Sequence, residues 1–563
     1  MLFIFAKSLL LTFSIVATGN LIWTKFFSYN LNGTIINKYL ESAILGGVFL
    51  GIISFILNFV LPLKIIFNNA LFIFPILFLF LNYKKKEIFI LLKLILVISL
   101  ISTLLLSYSN FYRPDAGWYH IPFVRLITDY KLIVGTSSLH WAFGNHSILQ
   151  YLSAFLSNSI TGVTGILYTN SILPSVFLLF FLYNFYNEKK LILKIFLFLI
   201  ISIFFIEMNR YSEYGNDAPG HFIFFITILI YLNALEISRK ISEQTFYIIA
   251  FFSIFAFLNK TFLIFSLLVP LICLNRDILK NLINLKFLTL ILFLSFWAVK
   301  NILITGCILY PMPSSCFDLS WTNFEGLSNI YEVSIGSEAW SKDWSNQKDN
   351  ILPYKEFLEN FYWVKFWINN HFIKILEILL PYILVTVILM FFIKIMNKRN
   401  QSEYKLNFKY YIPILTVIMI GILFWFLKAP IFRYGYSYIV SFIALSTALI
   451  ISYNLNRLKV LKEKKISKII IFLAIVILST KQFVRIYKNF DVNYNNYPWP
   501  RYYSETLENK KNNLEEVFKN EKFFYFIPKK SYCFYSKSPC TSVEVDKNLK
   551  KSINKYGYKT YYF

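Results

Sequence analysis

The sequence predicts an all-α polytopic membrane protein of about 12 to 14 transmembrane helices with a small C-terminal α/β extracytoplasmic module. Composition is the first reason. Of 563 residues, 57% are hydrophobic, 20% aromatic and only 15% charged, with a mean hydropathy of +0.56, whereas soluble domains carry about 25% charged residues. Apolar runs are the second. Residues 88–106, 191–206, 287–304 and 373–395 approach or exceed the ~20 residues that cross a ~30 Å hydrocarbon core. The third is the placement of positive charge in short connections at alternate ends of such runs.

Residues 1–23 read as a first helix, because they lack a small-x-small cleavage site and further spans follow. Lys84-Lys85-Lys86, Lys189-Lys190, Arg239-Lys240, Arg276 with Lys280 and Lys286, Lys398-Arg399 and the basic stretch 457–468 then mark the cytoplasmic side. The alternating connections fall outside: 108–146, 208–217, 305–370, 428–433 and the tail. The formal charge of +26 is distributed over these connections and the tail, with no continuous basic face, so it reads as topology and not as nucleic-acid binding.

Two stretches leave the helix count open. Residues 147–183 look like two spans where parity permits one, and 147–159, interrupted by Gln150, Ser153 and Ser157, suits an amphipathic helix at the outer interface. Residues 245–274 are either one long span or a pair of short helices broken at Asn259-Lys260-Thr261. Two domains follow: a multi-pass body, 1–490, and a Tyr- and Lys-rich tail, 491–563, with β-like runs at 523–527 and 542–545. The pairs Cys307/Cys316 and Cys533/Cys540, nine and seven residues apart, both lie in segments placed outside, where local disulfides form. Gly-rich phosphate loops, His-rich tracts, HExxH patterns and internal repeats are absent from the sequence.

Chemistry must therefore come from the outer segments. The densest polar cluster, 112–135, places Asp115 just past a helix end, with Arg113 before it and Trp118, Tyr119, His120 and Arg125 after it. A carboxylate there can serve as a general base or metal ligand for a head group at the membrane surface, or it can cap the next helix. His140 and His146 bring three of five histidines within 27 residues, suited either to binding phosphate, sugar hydroxyls or metal, or to interfacial packing. The connection 207–222 holds Glu213 and Asp217 at i, i+4, on one face if helical, and Asp217 also suits an N-cap before Pro219. At the fourth connection, Arg433 sits among aromatic residues including Tyr434, a setting for bidentate phosphate binding or for snorkelling to lipid phosphate. Lys260 and Lys300 lie within or at the edge of apolar runs, where burial is expensive unless paired.

On these residues the chain resembles the GT-C superfamily of polytopic membrane glycosyltransferases, and within it a set of poorly characterised bacterial membrane proteins. The shared elements are Asp115 with Tyr119-His120, Gly135 with Leu139-His140, Asn301 with Gly306 and Tyr310-Pro311, Ala429-Pro430 with Arg433-Tyr434-Gly435, and Pro539-Cys540-Thr541. They run from residue 112 onward. The resemblance implies a GT-C-like body in the bacterial inner membrane with its active site facing the periplasm. It implies transfer of a sugar from a polyprenyl-phosphate donor to a lipid-linked or cell-envelope glycan acceptor. By the resemblance Asp115 would be the principal carboxylate, Asp217 would assist and Arg433 would help bind donor phosphate; the reading of the residues themselves adds Glu213 as a catalytic candidate and His120, Arg125, His140, Lys260, Lys300 and Tyr434 as candidate substrate contacts. The cofactor is left open, a divalent cation (Mg or Mn) on Asp115 and Asp217 being the candidate, although Ala116 replaces the second of two adjacent acids common in such enzymes. Trp321, Trp340, Trp344, Trp363 and Trp367 in loop 305–370 suit either sugar stacking or an interfacial belt. A lipid-linked polysaccharide polymerase or ligase, and a multi-pass transporter, are the alternatives.

Overall fold

A computed structural model describes residues 2–26, 33–81, 85–107, 114–208, 214–238, 240–282, 284–326, 329–347, 351–396, 408–454, 464–488, 490, 497–499, 514–520, 523–529 and 532–563. Nine helices among the described residues are long and apolar enough to cross a membrane: Leu2–Ile22, Ile35–Leu57, Lys86–Leu106, Gly162–Asn187, Asp217–Ser238, Leu285–Thr305, Val364–Phe391, Phe432–Tyr453 and Ser467–Lys488. The chain is thus built as an integral membrane protein. Five shorter apolar helices, Phe67–Leu79, Leu191–Ile206, Glu243–Asn259, Thr261–Ile272 and Ile412–Lys428, accompany them. Against the expected 12 to 14 spans, the described residues hold nine helices of spanning length, and the five shorter ones fall below it.

Burial separates centre from periphery. Gly162–Asn187 and Asp217–Ser238 are buried along nearly their whole length, while Leu285–Thr305, Val364–Phe391 and Ser467–Lys488 keep most of theirs open. Apolar side chains all round a helix suit both positions, because protein and hydrocarbon are equally dry.

One local feature departs from sequence expectation and another settles an alternative that the sequence left open. The segment 147–159 is enclosed by the protein and not laid along its surface: Ser147 and Gln150 form a reciprocal capping box, and every residue of the helix Ile148–Leu156 is buried. It packs against the helices Ile35–Leu57 and Gly165–Asn187, and Ser153 bonds Thr169 at 3.0 Å, so its polar residues serve the interior. The stretch 245–274 is broken, not continuous. The helix Glu243–Asn259 ends at Lys260, whose backbone is extended (φ −149°, ψ 112°), and a 3-10 turn Thr261–Leu267 follows.

In the tail, Leu514–Asn520 pairs antiparallel with Phe523–Pro528, and Lys550–Ile553 with Lys559–Tyr562. Residues described between 514 and 563 include no helix, so the expected mixed α/β module is strand and turn there. Its short runs are interrupted by Pro528, Pro539 and the turn at Gly557, too closely for a helix of ordinary length. The tail is held on the body by backbone pairing: Val134 donates to the Lys559 carbonyl at 3.0 Å, Tyr561 to that of Val134 at 2.9 Å, and Phe563 to that of Ser320 at 3.1 Å.

Candidate functional site

Asp115 precedes the π-helical turn Ala116–His120, which continues as the helix Ile121–Asp129 with Pro122 in its first turn. Its side chain makes no capping bond. Its Oδ2 instead lies 2.7 Å from Nη1 of Arg433, so the capping role open in the sequence is not the one adopted. Arg433 opens the helix Phe432–Asn454, and the preceding turn is fixed by two indoles. Trp367 Nε1 donates to the Pro430 carbonyl at 2.6 Å and Trp425 Nε1 to that of Ile431 at 2.7 Å. Gly435 is required by this packing, since a Cβ there would lie 2.5 Å from the Trp425 ring.

The break after Asn259 delivers Lys260 to the same place. Its Nζ lies 2.6 Å from Asp217 Oδ1 and 2.7 Å from the Arg433 carbonyl oxygen. Asp217 stands in the first turn of the helix Asp217–Ser238, where the helix dipole favours an anion. Arg433 thus joins two acid–cation pairs, through its guanidinium to Asp115 and through its carbonyl to Lys260 and Asp217. Tyr434 completes the cluster. Its hydroxyl is 3.3 Å from Arg433 Nη2, its ring lies under Lys260 Nζ at 4.8 Å, and it stacks on Phe262 at 4.4 Å.

Two residues of the π turn face this cluster. Tyr119 is half-buried, and burial together with the Asp115 carboxylate holds its phenol well above the ordinary range, so it stays protonated. His120 is pushed down to about 4 by burial, with Asp115 and Asp217 opposing and Arg433 and Lys260 reinforcing. Its Nδ1 lies 3.3 Å from Gln150 Nε2 and 3.2 Å from Asn216 Nδ2. Both amides donate, so Nδ1 accepts and the proton of the neutral ring sits on Nε2. Asn259 ties this layer together, donating to the Asn216 carbonyl at 2.7 Å and accepting from Ser147 Oγ at 2.9 Å.

Of the residues singled out in the sequence, Asp115, Asp217, Lys260, Arg433, Tyr434 and His120 converge here. Glu213 lies outside the described residues. Three others are used elsewhere. Lys300 is fully buried, bonds the Phe55 carbonyl at 2.6 Å, and sits 4.1, 4.5 and 4.3 Å from the rings of Phe55, Phe59 and Tyr151, because an ammonium inside an apolar layer needs such partners. Arg125 pairs with Asp129 at 2.8 Å and lies over the Tyr535 ring, joining the body to the tail. His140 accepts from the Ala142 amide at 3.1 Å, capping its own turn, and stacks on Phe143. Its Nδ1 is thereby committed to structure, as is the His146 ring between Phe55 and Phe123.

The expected disulfides are both formed, Cys307 with Cys316 and Cys533 with Cys540. A divalent cation does not fit the donor set. Each carboxylate faces a cationic side chain at salt-bridge distance, and an ion placed between them would meet Lys260 and Arg433. Among the described residues no group of three His, Cys, Asp or Glu side chains comes together as metal ligands.

Sequence reasoning gave no site role to Asn216 and Gln150, which bond His120, to Asn259, which holds the Asn216 carbonyl, or to the buried pair His221 and Ser437, whose Nδ1 and Oγ lie 2.5 Å apart. The signal for that pair was spacing: His221 follows Asp217, and Ser437 follows Arg433, by one helical turn each.

No curated protein and no solved structure matches the chain. A family described as a domain of unknown function, DUF8201, matches residues 1–440, a stretch that contains Asp115, Asp217, Lys260 and Arg433 and stops short of the tail. By that match over most of its length, the chain belongs to the DUF8201 family.

Proposed function

We propose that the chain is a membrane glycosyltransferase, moving a sugar from a polyprenyl-phosphate donor to a glycan or glycolipid acceptor at the extracytoplasmic face of a bacterial inner membrane. The observation that carries the reading is the joined pair of acid–cation contacts, Asp115 with Arg433 and Asp217 with Lys260. Two fixed cations beside a carboxylate are what a phosphate leaving group and an acceptor hydroxyl require. The acceptor oxygen attacks the anomeric carbon while the bond from that carbon to the phosphate oxygen breaks. The electron pair departs on the polyprenyl phosphate, and the acceptor proton passes to Asp115. The donor phosphate competes with Asp115 for Arg433 and so frees the carboxylate to act as base. Tyr119 and the Nε2–H of His120 are neutral donors for sugar hydroxyls.

The experiment is to reconstitute the purified chain in lipid nanodiscs with polyprenyl-phosphate hexoses and pentoses and an envelope-lipid extract as acceptor, following products by mass spectrometry. A glycosylated product with release of polyprenyl phosphate supports the reading. A protein that consumes none of the donors contradicts it.

A transporter is the second reading, favoured by the broken helix at Lys260, since interrupted helices line transport sites. Donor moved across a proteoliposome membrane without chemical change would favour it.

A further inference from the structure

Four of the five tryptophans in the loop 305–370 are committed to the fold. Trp321 donates its Nε1–H to the Ile302 carbonyl at 2.8 Å, Trp344 to Leu352 at 2.7 Å and Trp367 to Pro430 at 2.6 Å. Trp363 is buried, with the Lys342 ammonium 4.6 Å from its ring. Trp340 differs. It is 51% exposed, and its ring centroid lies 6.0 Å from the guanidinium carbon of Arg433.

The ring is held there by its own helix. Asn329 caps Ile330–Ser341 by accepting from the Tyr331 amide at 2.8 Å. In the last turn, Glu338 reaches Lys342 at 2.7 Å and Lys428 at 3.1 Å, and Ser341 Oγ bonds the Lys428 carbonyl at 3.4 Å. Lys428 belongs to the turn that leads into Arg433, so the loop helix and the cation are braced against each other. Arg433 therefore has two aromatic rings within cation–π reach, Trp340 at 6.0 Å and Tyr434 at 5.1 Å. Tyr434 is already stacked on Phe262, whereas about half of Trp340 is open.

A tryptophan that served only as an interfacial anchor would need no brace to Lys428 and no neighbouring phosphate-binding cation. An exposed indole at a fixed position beside such a cation is suited to the apolar face of a sugar ring, which packs on a rigid aromatic surface while its phosphate meets the arginine. We propose that Trp340 is the sugar platform of this site: a pyranose whose phosphate is held by Arg433 stacks on the Trp340 indole. This rests on the glycosyltransferase reading.

The test reads binding and not turnover. Wild-type, Trp340→Ala and Trp340→Phe chains in nanodiscs are titrated calorimetrically with farnesyl phosphate and with its glucosyl, mannosyl and N-acetylglucosaminyl phosphodiesters. The wild type should bind at least one sugar-bearing probe more tightly than farnesyl phosphate. Trp340→Ala should weaken that probe by about tenfold, a loss typical of one aromatic stack, with the farnesyl phosphate affinity unchanged and Trp340→Phe close to wild type. Equal weakening of both ligand types, an unchanged Trp340→Ala, or a wild type that does not distinguish the probes overturns the proposal. Selective weakening without any sugar transfer leaves the platform standing and removes the catalytic reading. Transfer without selectivity removes the platform alone.

Discussion

The amide of Phe534 donates to the carbonyl of Gly117 at 2.9 Å, and its ring covers that glycine so closely that a Cβ would lie 2.5 Å from the ring carbons. The tail thus bears on the turn that carries Asp115, Tyr119 and His120, and the Cys533–Cys540 disulfide closes the loop that presents Phe534. Gly117→Ala should destabilise the protein by about 1 to 3 kcal/mol through overpacking. Adding Phe534→Ala should recover part of that loss, because the clash goes with the ring. Thermal unfolding of the two single variants and the double variant in detergent measures the coupling, and strictly additive shifts would contradict the contact.

Three buried histidines make stability depend on pH. Burial, the leading cause in each case, pushes His120 down to about 4 and His140 and His146 down to about 3, from an ordinary value near 6.5. The unfolded chain takes up these protons first, so the stabilisation is complete above about pH 6.5 and declines as pH falls toward the folded values. Between pH 7 and pH 5 the loss should be roughly 2 kcal/mol per histidine, seen as a falling melting temperature. His146→Phe, which keeps the stack on Phe55 and Phe123, should make that fall shallower. A flat profile in the wild type would contradict the burial of these rings.

Lys260 holds Asp217 and the Arg433 backbone at once. Lys260→Met should therefore displace both, lowering kcat for sugar transfer by about 100- to 1,000-fold, the range for loss of a charge-stabilising donor, with a rise in donor KM. Lys260→Arg, which keeps the charge but not the compact ammonium geometry, should fall between. Steady-state kinetics decide this, and activity of Lys260→Met within twofold of wild type would exclude the lysine from the site.

Sidedness has its own readout. In a background carrying Cys273→Ser, Cys307→Ser and Cys316→Ser, which removes the buried free thiol and the other disulfide, a membrane-impermeant maleimide applied to intact spheroplasts after reduction should label Cys533 and Cys540. Labelling only after permeabilisation would place the tail, and the turn it holds, on the cytoplasmic side.

Much of the body was legible because a hydrocarbon solvent demands long apolar helices, and such runs are visible in any window of the chain. The break at Asn259-Lys260-Thr261 was visible too, as polar residues interrupting an apolar run. Partner choice was not. Asp115 and Arg433 lie far apart in sequence, and only the packing of the helix Phe432–Asn454 brings the guanidinium to the carboxylate. Lys300 and Lys260 looked alike, each a cation in an apolar setting, yet one is enclosed by phenylalanine and tyrosine rings and the other meets Asp217. His140 carried no mark to separate a ligand-binding ring from one that caps its own turn. The helix Ile148–Leu156 was misplaced because serine and glutamine in an apolar run read as surface, when here they bond one another and the neighbouring helix inside the bundle.

The most direct test of the central claim is the rate of sugar transfer by Asp115→Asn, whose amide keeps the shape of the carboxylate but can neither accept the acceptor proton nor pair with Arg433 as an anion. The account predicts a fall in kcat of about 100- to 10,000-fold, the range for losing a general base, in a protein that still unfolds cooperatively and binds farnesyl phosphate at least as tightly as the wild type, because the anion that competes for Arg433 is gone. Transfer by Asp115→Asn at an undiminished rate would contradict it.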